Sequence, residues 1–440
     1  MTGNSLPREQ FTPTKSRGRY AIPYLLCQIG TIFGIRKQKS CTIVPLSKTM
    51  NIKYRYMIFF LVVLTVTILV NLYIYYRTRP VFPSGTTGWW LSFGLFWLIA
   101  LGYMLGRFAE RAGLNWVAEP LIRAGSWWLG AMLYLTLIFL LLDILRGISW
   151  IPLPGLKGFF SFPWLSAKGK TVSLVVYAVT AVILTTGYIN ARYPALIRQQ
   201  VKISKPMTSP TYKIVLASDI HLGTMIANGR LTRMIHTINS QQPDLILLAG
   251  DIFDEDLGPV IRNNLGDLLK NLQAREGTYA ILGNHEFFGN AGEAEKYLED
   301  HKIKVLRDNS VLLPSGINLV GREDITGNRM NGQVRKSLPE LLAKTEPSKP
   351  VIVMDHQPYH LKEVAALPVD LQVSGHTHHG QLWPFNYITS AMFEISKGYG
   401  KIGNTHFYIS PGVGTWGPPI RTSCRPEIIV LEISGSVSYQ

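Results

Sequence analysis

The sequence predicts a multi-span α-helical membrane domain followed by an α/β domain, and three observations carry that expectation. Four apolar stretches, roughly 57–76, 89–105, 127–145 and 172–189, follow one another. Each approaches the roughly 20 residues a helix needs to cross a bilayer. From Thr211 onward, short apolar runs alternate with amphipathic stretches, the signature of strands and helices in an α/β domain. The composition agrees: the 440 residues are 47% hydrophobic and 16% charged, apolar for a soluble enzyme.

Residues 1–49 form a basic leader without clear periodicity, and residues 1–50 hold eight Lys or Arg against one Glu. Met50 opens a short polar and basic run directly before the first apolar stretch. Two expectations stand side by side, a translational start at Met50 and a disordered basic tail. The membrane domain is expected over 50–190. Four successive spans argue against a buried soluble core, and Trp89, Trp90, Trp127 and Trp128 stand at segment ends, where indoles favour the head-group region. The aromatic, Pro- and Gly-broken segment 148–164 reads as interfacial. Four spans place both ends of the domain on one side. The loops on that side carry nine Lys or Arg against six on the other, favouring a cytoplasmic C-terminal half; an odd number of spans reverses this. The net charge of +16 is thereby explained by membrane flanks more simply than by nucleic acid, for which residues 211–440 show no basic–aromatic groove pattern. Asp143, near the end of the third stretch, is expected to snorkel or to pair with Arg146. Cys27, Cys41 and Cys424 form neither a disulfide framework nor a zinc spacing.

Residues 191–210 read as a basic, Pro-containing linker, and 211–440 as the α/β domain. Strands are expected at 213–217, 244–249, 278–282, 318–321, 351–354, 371–374, 406–409 and 428–433, and helices at 229–240, 259–273, 291–301 and 337–344. Five of these strands run directly into polar motifs: Asp219-Ile-His221, Gly250-Asp251-Ile-Phe-Asp254, Gly283-Asn284-His285-Glu286, Asp355-His356 and Gly375-His376-Thr-His378. C-terminal strand ends are where open α/β sheets place their binding crevices. Asp, His and Asn supply the oxygen and nitrogen donors of a divalent metal site. Asp219, His221, Asp251, Asn284, His356, His376 and His378 are more donors than one ion needs, so two adjacent ions fit better. The mixed set suits Mn, Fe or Zn over Ca, without choosing among them.

These five motifs, in this order, resemble the calcineurin-like metallophosphoesterases, over the stretch from Tyr212 to the C-terminus. The layout is also similar to the membrane-anchored bacterial branch of that family, through the block Gly375–Gln381 and the end Ser410-Pro-Gly412 to Arg425-Pro-Glu427. The resemblance implies a four-layer α/β/β/α sandwich and a dinuclear centre. Asp219, His221 and His378 would hold one ion, Asn284, His356 and His376 the other, and Asp251 would bridge. His285 would face the scissile phosphate without binding metal. The implied activity is hydrolysis of a phosphodiester or pyrophosphate at a bacterial inner membrane, on a phosphorylated substrate, lipid-linked or soluble. One activity of the wider family, cleavage of UDP-2,3-diacylglucosamine in lipid A synthesis, is a specific alternative. A signalling or scaffold protein with a structural metal site is another. Asp254 and Glu286 are expected to support donors or cap a helix rather than ligate. His301 and His360 read as surface residues, His406 lies in an expected strand without a motif, and His379 reads as exposed or as a substrate contact. Arg421 and Arg425 read as phosphate contacts or partners of carboxylates, and Cys424 as a small packing residue.

Overall fold

The computed structural model describes residues 52–82, 85–149, 169–207, 209, 211–330, 332 and 334–437. The leader, the Met50 start and nearly all of the expected interfacial segment 148–164 lie outside the described residues. The chain divides into two compact units, Met1–Thr65 and Val66–Gln440, and all packing described below lies within the second.

Among the described residues, five α-helices precede the sheets: α1 (Ile52–Thr78), α2 (Thr86–Ala100), α3 (Gly102–Arg111), α4 (Asn115–Ser149) and α5 (Lys170–Arg192). Three stretches of those residues are long and apolar enough to cross a membrane, Phe60–Val81, Asn115–Ile148 and Lys170–Arg192; α2 and α3 together make a fourth if a pair bent by 61° counts as one span. The second expected span, 89–105, is therefore not one continuous helix. It breaks at Leu101, and beyond the break Arg107, Glu110 and Arg111 make α3 amphipathic. Gly102 on α3 meets Gly125 on α4, and Gly106 meets Ile122 and Ala118, so closely that a Cβ on Gly125 would lie 2.0 Å from the Tyr103 amide nitrogen. Small residues of this kind let helix backbones touch. Asp143 behaves as expected: it accepts from Tyr73 Oη at 2.6 Å and pairs with Arg77 at 3.1 Å and Arg146 at 3.2 Å.

Two six-stranded sheets follow. The first runs β1 (Ala195–Met207), β12 (Glu427–Val437), β2 (Tyr212–Ala217), β3 (Leu245–Ala249), β4 (Thr278–Ile281), β5 (Ile303–Val305). The second runs β10 (Gly398–Ile402), β11 (Thr405–Ile409), β9 (Leu371–Ser374), β8 (Val351–Met354), β7 (Asn318–Gly321), β6 (Asn309–Leu312). β2 to β5 are mutually parallel, as are β7, β8, β9 and β11. The segment expected as a linker is corrected here: over Ala195–Met207 it is an edge strand in parallel register with β12. Its basic residues hid this: Arg198 and Lys202 alternate outward while Val201, Ile203 and Met207 face inward, and Lys205, on the inward side, pairs with Asp370.

Alternation along the strands builds the layers. Ile214, Leu216, Leu245, Leu247, Ile352 and Met354 fill the space between the sheets. Val215, Ala217, Ile246 and Leu248 turn the other way, onto α6 (Asn228–Asn239) and its neighbours. Val320, Val351 and Val353 turn outward onto Leu338–Leu342 and Leu361–Ala365. The result is the four-layer α/β/β/α sandwich. The helix expected at 259–273 is two short ones, Gly258–Arg262 and Leu265–Leu269, because Asn264 between them is left-handed.

Candidate metal centre

All seven expected donors converge where the two sheets open at their C-terminal strand ends. Asp219 and His221 follow β2, Asp251 follows β3 and Asn284 follows β4. His356 follows β8, and His376 and His378 follow β9. Three groups bring their donor atoms within 4.8 Å of one another: Asp219, His221 and His378; His221, Asp251 and His285; Asp251, His356 and His376. Asp251 belongs to two of them. His376 Nδ1 lies 2.7 Å from Asn284 Oδ1, which draws in the seventh donor.

The backbone is bent to aim them. Asp219, His221, Asp251, His376 and His378 all have φ between 45° and 71°. Non-glycine residues are rare there, and such conformations collect at functional sites. The motif glycines leave room: a Cβ on Gly283 would stand 2.2 Å from Asp251 Oδ1, and one on Gly375 2.4 Å from Asp219 Oδ2.

The donor chemistry fits cations. His221 Nε2 and His378 Nε2 face one another at 3.0 Å, and His378 Nε2 lies 3.5 Å from Asp219 Oδ1. His356 Nε2 lies 3.1 Å from Asp251 Oδ2 without hydrogen-bond alignment, and Asp219 Oδ2 is buried with no hydrogen-bond partner. Inward-facing lone pairs of this kind are costly unless a proton or a cation sits between them. Burial, reinforced by the charge of His285, pushes the His221 imidazole down to about 3. Burial and His356 push His376 to about 3 as well, and burial and Arg421 hold His378 well below its ordinary value. These three are thus neutral, the form in which imidazole ligates. Burial raises Asp219 to about 6, Asp251 adding to the rise and His356 opposing it. Despite burial, Asp251 is held well below the usual carboxylate range by His356 and His285. Burial likewise opposes His356, yet Asp251 holds it well above its ordinary value.

A second ring of residues fixes these donors. Glu286 accepts from the amides of Gly283 (2.7 Å), Phe253 (2.8 Å) and Asp251 (3.1 Å), so it shapes two motif loops rather than ligating. His356 Nδ1 lies 2.7 Å from the Ala249 carbonyl, leaving Nε2 to face inward. Asp219 Oδ1 accepts from the His376 amide and Asp251 Oδ1 from that of His285, each at 2.9 Å. His285 stands edge-on to His221, ring centroids 4.6 Å apart, between the aromatic rings of Phe288 and Trp416.

Two arginines belong to this ring in ways the sequence did not disclose. Asp254, expected to support a donor or cap a helix, pairs with Arg107 of α3 at 2.6 Å, while its other oxygen lies 3.8 Å from His285 Nδ1. The sequence signal was limited to an arginine beside an apolar stretch. Arg421 is fully buried and corrects the expectation of a carboxylate or phosphate partner. It donates to the carbonyls of Pro411 (2.6 Å), Gly414 (2.8 Å) and His378 (3.3 Å), and its Nη2 lies 2.9 Å from His378 Nδ1. Arg425 instead donates to the Tyr193 carbonyl. Next to Arg421, Ile420 packs against α4 and α5 where Gly130 and Gly187 admit it. The Tyr134 hydroxyl on α4 bonds Thr422 Oγ1 and the Trp383 carbonyl, so helices α3, α4 and α5 all touch loops of the centre.

Comparison with known proteins agrees with this geometry. The profile of the calcineurin-like phosphoesterases matches residues 212–380. An uncharacterized metallophosphoesterase of Helicobacter pylori strain J99 is 30% identical over 246 residues, 55% of this chain and 65% of that protein. One of Aquifex aeolicus is 31% identical over 225 residues, 51% of this chain and 85% of that protein. A Bos taurus transmembrane protein with metallophosphoesterase domain is 30% identical over 283 residues, 60% of this chain and 63% of that protein. The matched region thus spans just under two thirds of the Helicobacter and bovine proteins. With the five motifs gathered at the strand ends of a four-layer sandwich, the chain belongs to the calcineurin-like metallophosphoesterases.

Proposed function

We propose that the protein is a membrane-tethered, metal-dependent hydrolase of phosphate esters, a phosphodiester or a pyrophosphate. The observation that carries this reading is His285. It stands among the donors, its ring against His221 and its amide on Asp251, between aromatic walls that a structural metal site would not need. Asp219, His221 and His378 would hold one divalent ion, Asn284, His356 and His376 a second, and Asp251 both. Mn, Fe or Zn would suit the mixed donors. Two such ions would supply Lewis-acid polarisation of a phosphoryl oxygen and a water acidic enough to attack phosphorus. The chain's own part is positional. Asp251, fixed through its amide by Glu286, keeps the two donor groups together. His285, with Asp254 beside its Nδ1, is placed to give a proton to the leaving oxygen.

An amphiphilic substrate suits the surroundings. Beyond the last donor motif the helix Phe385–Met392 exposes Phe385, Tyr387, Ile388 and Met392, next to exposed Trp383 and Trp416. This apolar surface joins α4 through the Tyr134–Trp383 hydrogen bond of 3.1 Å. It supports a centre that meets its substrate at a bilayer surface; in a bacterial inner membrane, with the bent α2–α3 pair as a fourth span, the excess of basic residues favours the cytoplasmic face. UDP-2,3-diacylglucosamine is the specific form of this reading. The test is hydrolysis by the full-length protein of bis-p-nitrophenyl phosphate and of that lipid, with Mn²⁺ and with chelator. Chelator-sensitive turnover of the diester is expected. No hydrolysis of either substrate by protein with demonstrably bound metal would favour a signalling or scaffold protein instead.

A further inference from the structure

A second cavity, of about 270 Å³, lies at the end of α5 and is lined by Arg192, Arg230, Arg233 and Arg425 against the side chains of Ile226 and Met234. Part of this positive charge has a structural task. Arg230 Nη2 donates to the carbonyls of Ala191 (2.7 Å) and Val413 (3.2 Å), and Arg425 Nε donates to that of Tyr193 (2.8 Å). Arg192 Nη1 donates to the Tyr188 hydroxyl at 2.9 Å. These bonds steady the last turn of α5, where cations complement the helix dipole. They use few donors, because each guanidinium carries five N–H groups.

What the structural task leaves unexplained is the missing counter-charge. Among the described residues, no carboxylate lies within ion-pair distance of any of the four guanidiniums, and the Arg233 guanidinium, unlike its carbonyl, which accepts from Thr237, has no hydrogen-bond partner. Burial, with Arg421, Arg192 and Arg233 as like-charged neighbours, pushes Arg230 down to about 9. Grouped cations without a carboxylate are costly in a half-buried cavity, and a phosphate group relieves that cost through charge-assisted, bidentate hydrogen bonds. The location selects the source of that phosphate. Arg192 and Tyr193 end and follow α5, a helix long and apolar enough to span a membrane, and the ends of such a helix fall among head groups. The apolar lining of Ile226 and Met234 suits the glycerol and first methylenes of a lipid, not a hydrated free anion.

We propose that this cavity binds the phosphate head group of an anionic phospholipid, at a site separate from the metal centre. The inference does not rest on the hydrolase reading. The test uses the full-length protein in nanodiscs of phosphatidylcholine with equimolar phosphatidylglycerol, followed by delipidation and native mass spectrometry. Wild-type protein should retain phosphatidylglycerol over phosphatidylcholine by about tenfold, the order expected for losing or gaining one charge-assisted hydrogen bond. Arg192→Gln/Arg233→Gln should abolish that preference. Arg233→Gln alone, at an exposed side chain without hydrogen bonds, should weaken it while leaving thermal unfolding unchanged. Arg198→Gln, outside the cavity, should keep it. Absence of a preference in the wild type, or a preference unchanged in both cavity variants, overturns the proposal. Displacement of the lipid by millimolar inorganic phosphate or glycerol phosphate overturns the lipid as the ligand.

Discussion

Arg107→Met tests whether the helical half of the chain helps build the metal centre. Arg107 pairs with Asp254 at 2.6 Å and with Glu110 at 2.9 Å, and the three side chains are only 18%, 9% and 3% exposed. Despite burial, which opposes it, Asp254 is held below the usual carboxylate range, with Arg107 the largest favourable neighbour. Removing one partner of a buried pair costs about 3–5 kcal/mol, because the other charge is left unpaired. The partial exposure of Arg107 argues for the lower end, about 3 kcal/mol. Asp254 would then be free to draw on His285, whose Nδ1 lies 3.8 Å away. We expect Arg107→Met to lower the unfolding free energy of the full-length protein in mild detergent by about 3 kcal/mol. It should also reduce kcat/KM on a simple diester roughly tenfold, with KM little changed. Adding Asp254→Asn to Arg107→Met removes one of the two orphaned carboxylates, buried Glu110 being the other, and should restore about half of the lost stability, though not the turnover. A double-mutant cycle reads this directly. Stability losses of the two substitutions that add to within about 0.5 kcal/mol would refute the coupling, as would an Arg107→Met protein as stable as its parent.

Three further outcomes are expected. His285→Ala should keep the metal content measured by plasma mass spectrometry yet lose about 100-fold or more in turnover, whereas Asn284→Ala should lose bound metal; metal loss in His285→Ala would make it a ligand. Metal affinity should fall at least about tenfold between pH 7 and pH 5, since Asp219 is raised to about 6 and a proton competes with the ion below that value. His356, raised well above its ordinary value, acts in the same direction, and flat affinity by calorimetry across that range would count against Asp219 as a donor. Gly125→Val should unseat α3, because a Cβ there would meet the Tyr103 amide nitrogen at 2.0 Å. Its kcat/KM loss should therefore match that of Arg107→Met; full activity would show that the α3–α4 approach is not required.

The amino-acid sequence by itself determined the donors and the architecture around them. Each motif directly follows a short apolar strand, as Asp251 follows β3 and His376 follows β9, so its identity and its place at a strand end are both local properties. The two-sheet layering came from the family resemblance of those motifs, because runs such as β3 and β8, apolar on both faces, leave the number of sheets open. Tertiary structure alone decided what long-range contact creates. β1 exists because β12, more than 200 positions later, offers an edge to a strand whose outward residues are basic. The break at Leu101 goes with close glycine contacts between α3 and α4, which no local pattern announces. Arg107 reaches Asp254 across 147 positions, and Arg421 reaches His378 across 43. An arginine beside an apolar stretch looks like a membrane flank whatever it later touches, because pairing energy depends on burial and distance, and neither is written in neighbouring residues.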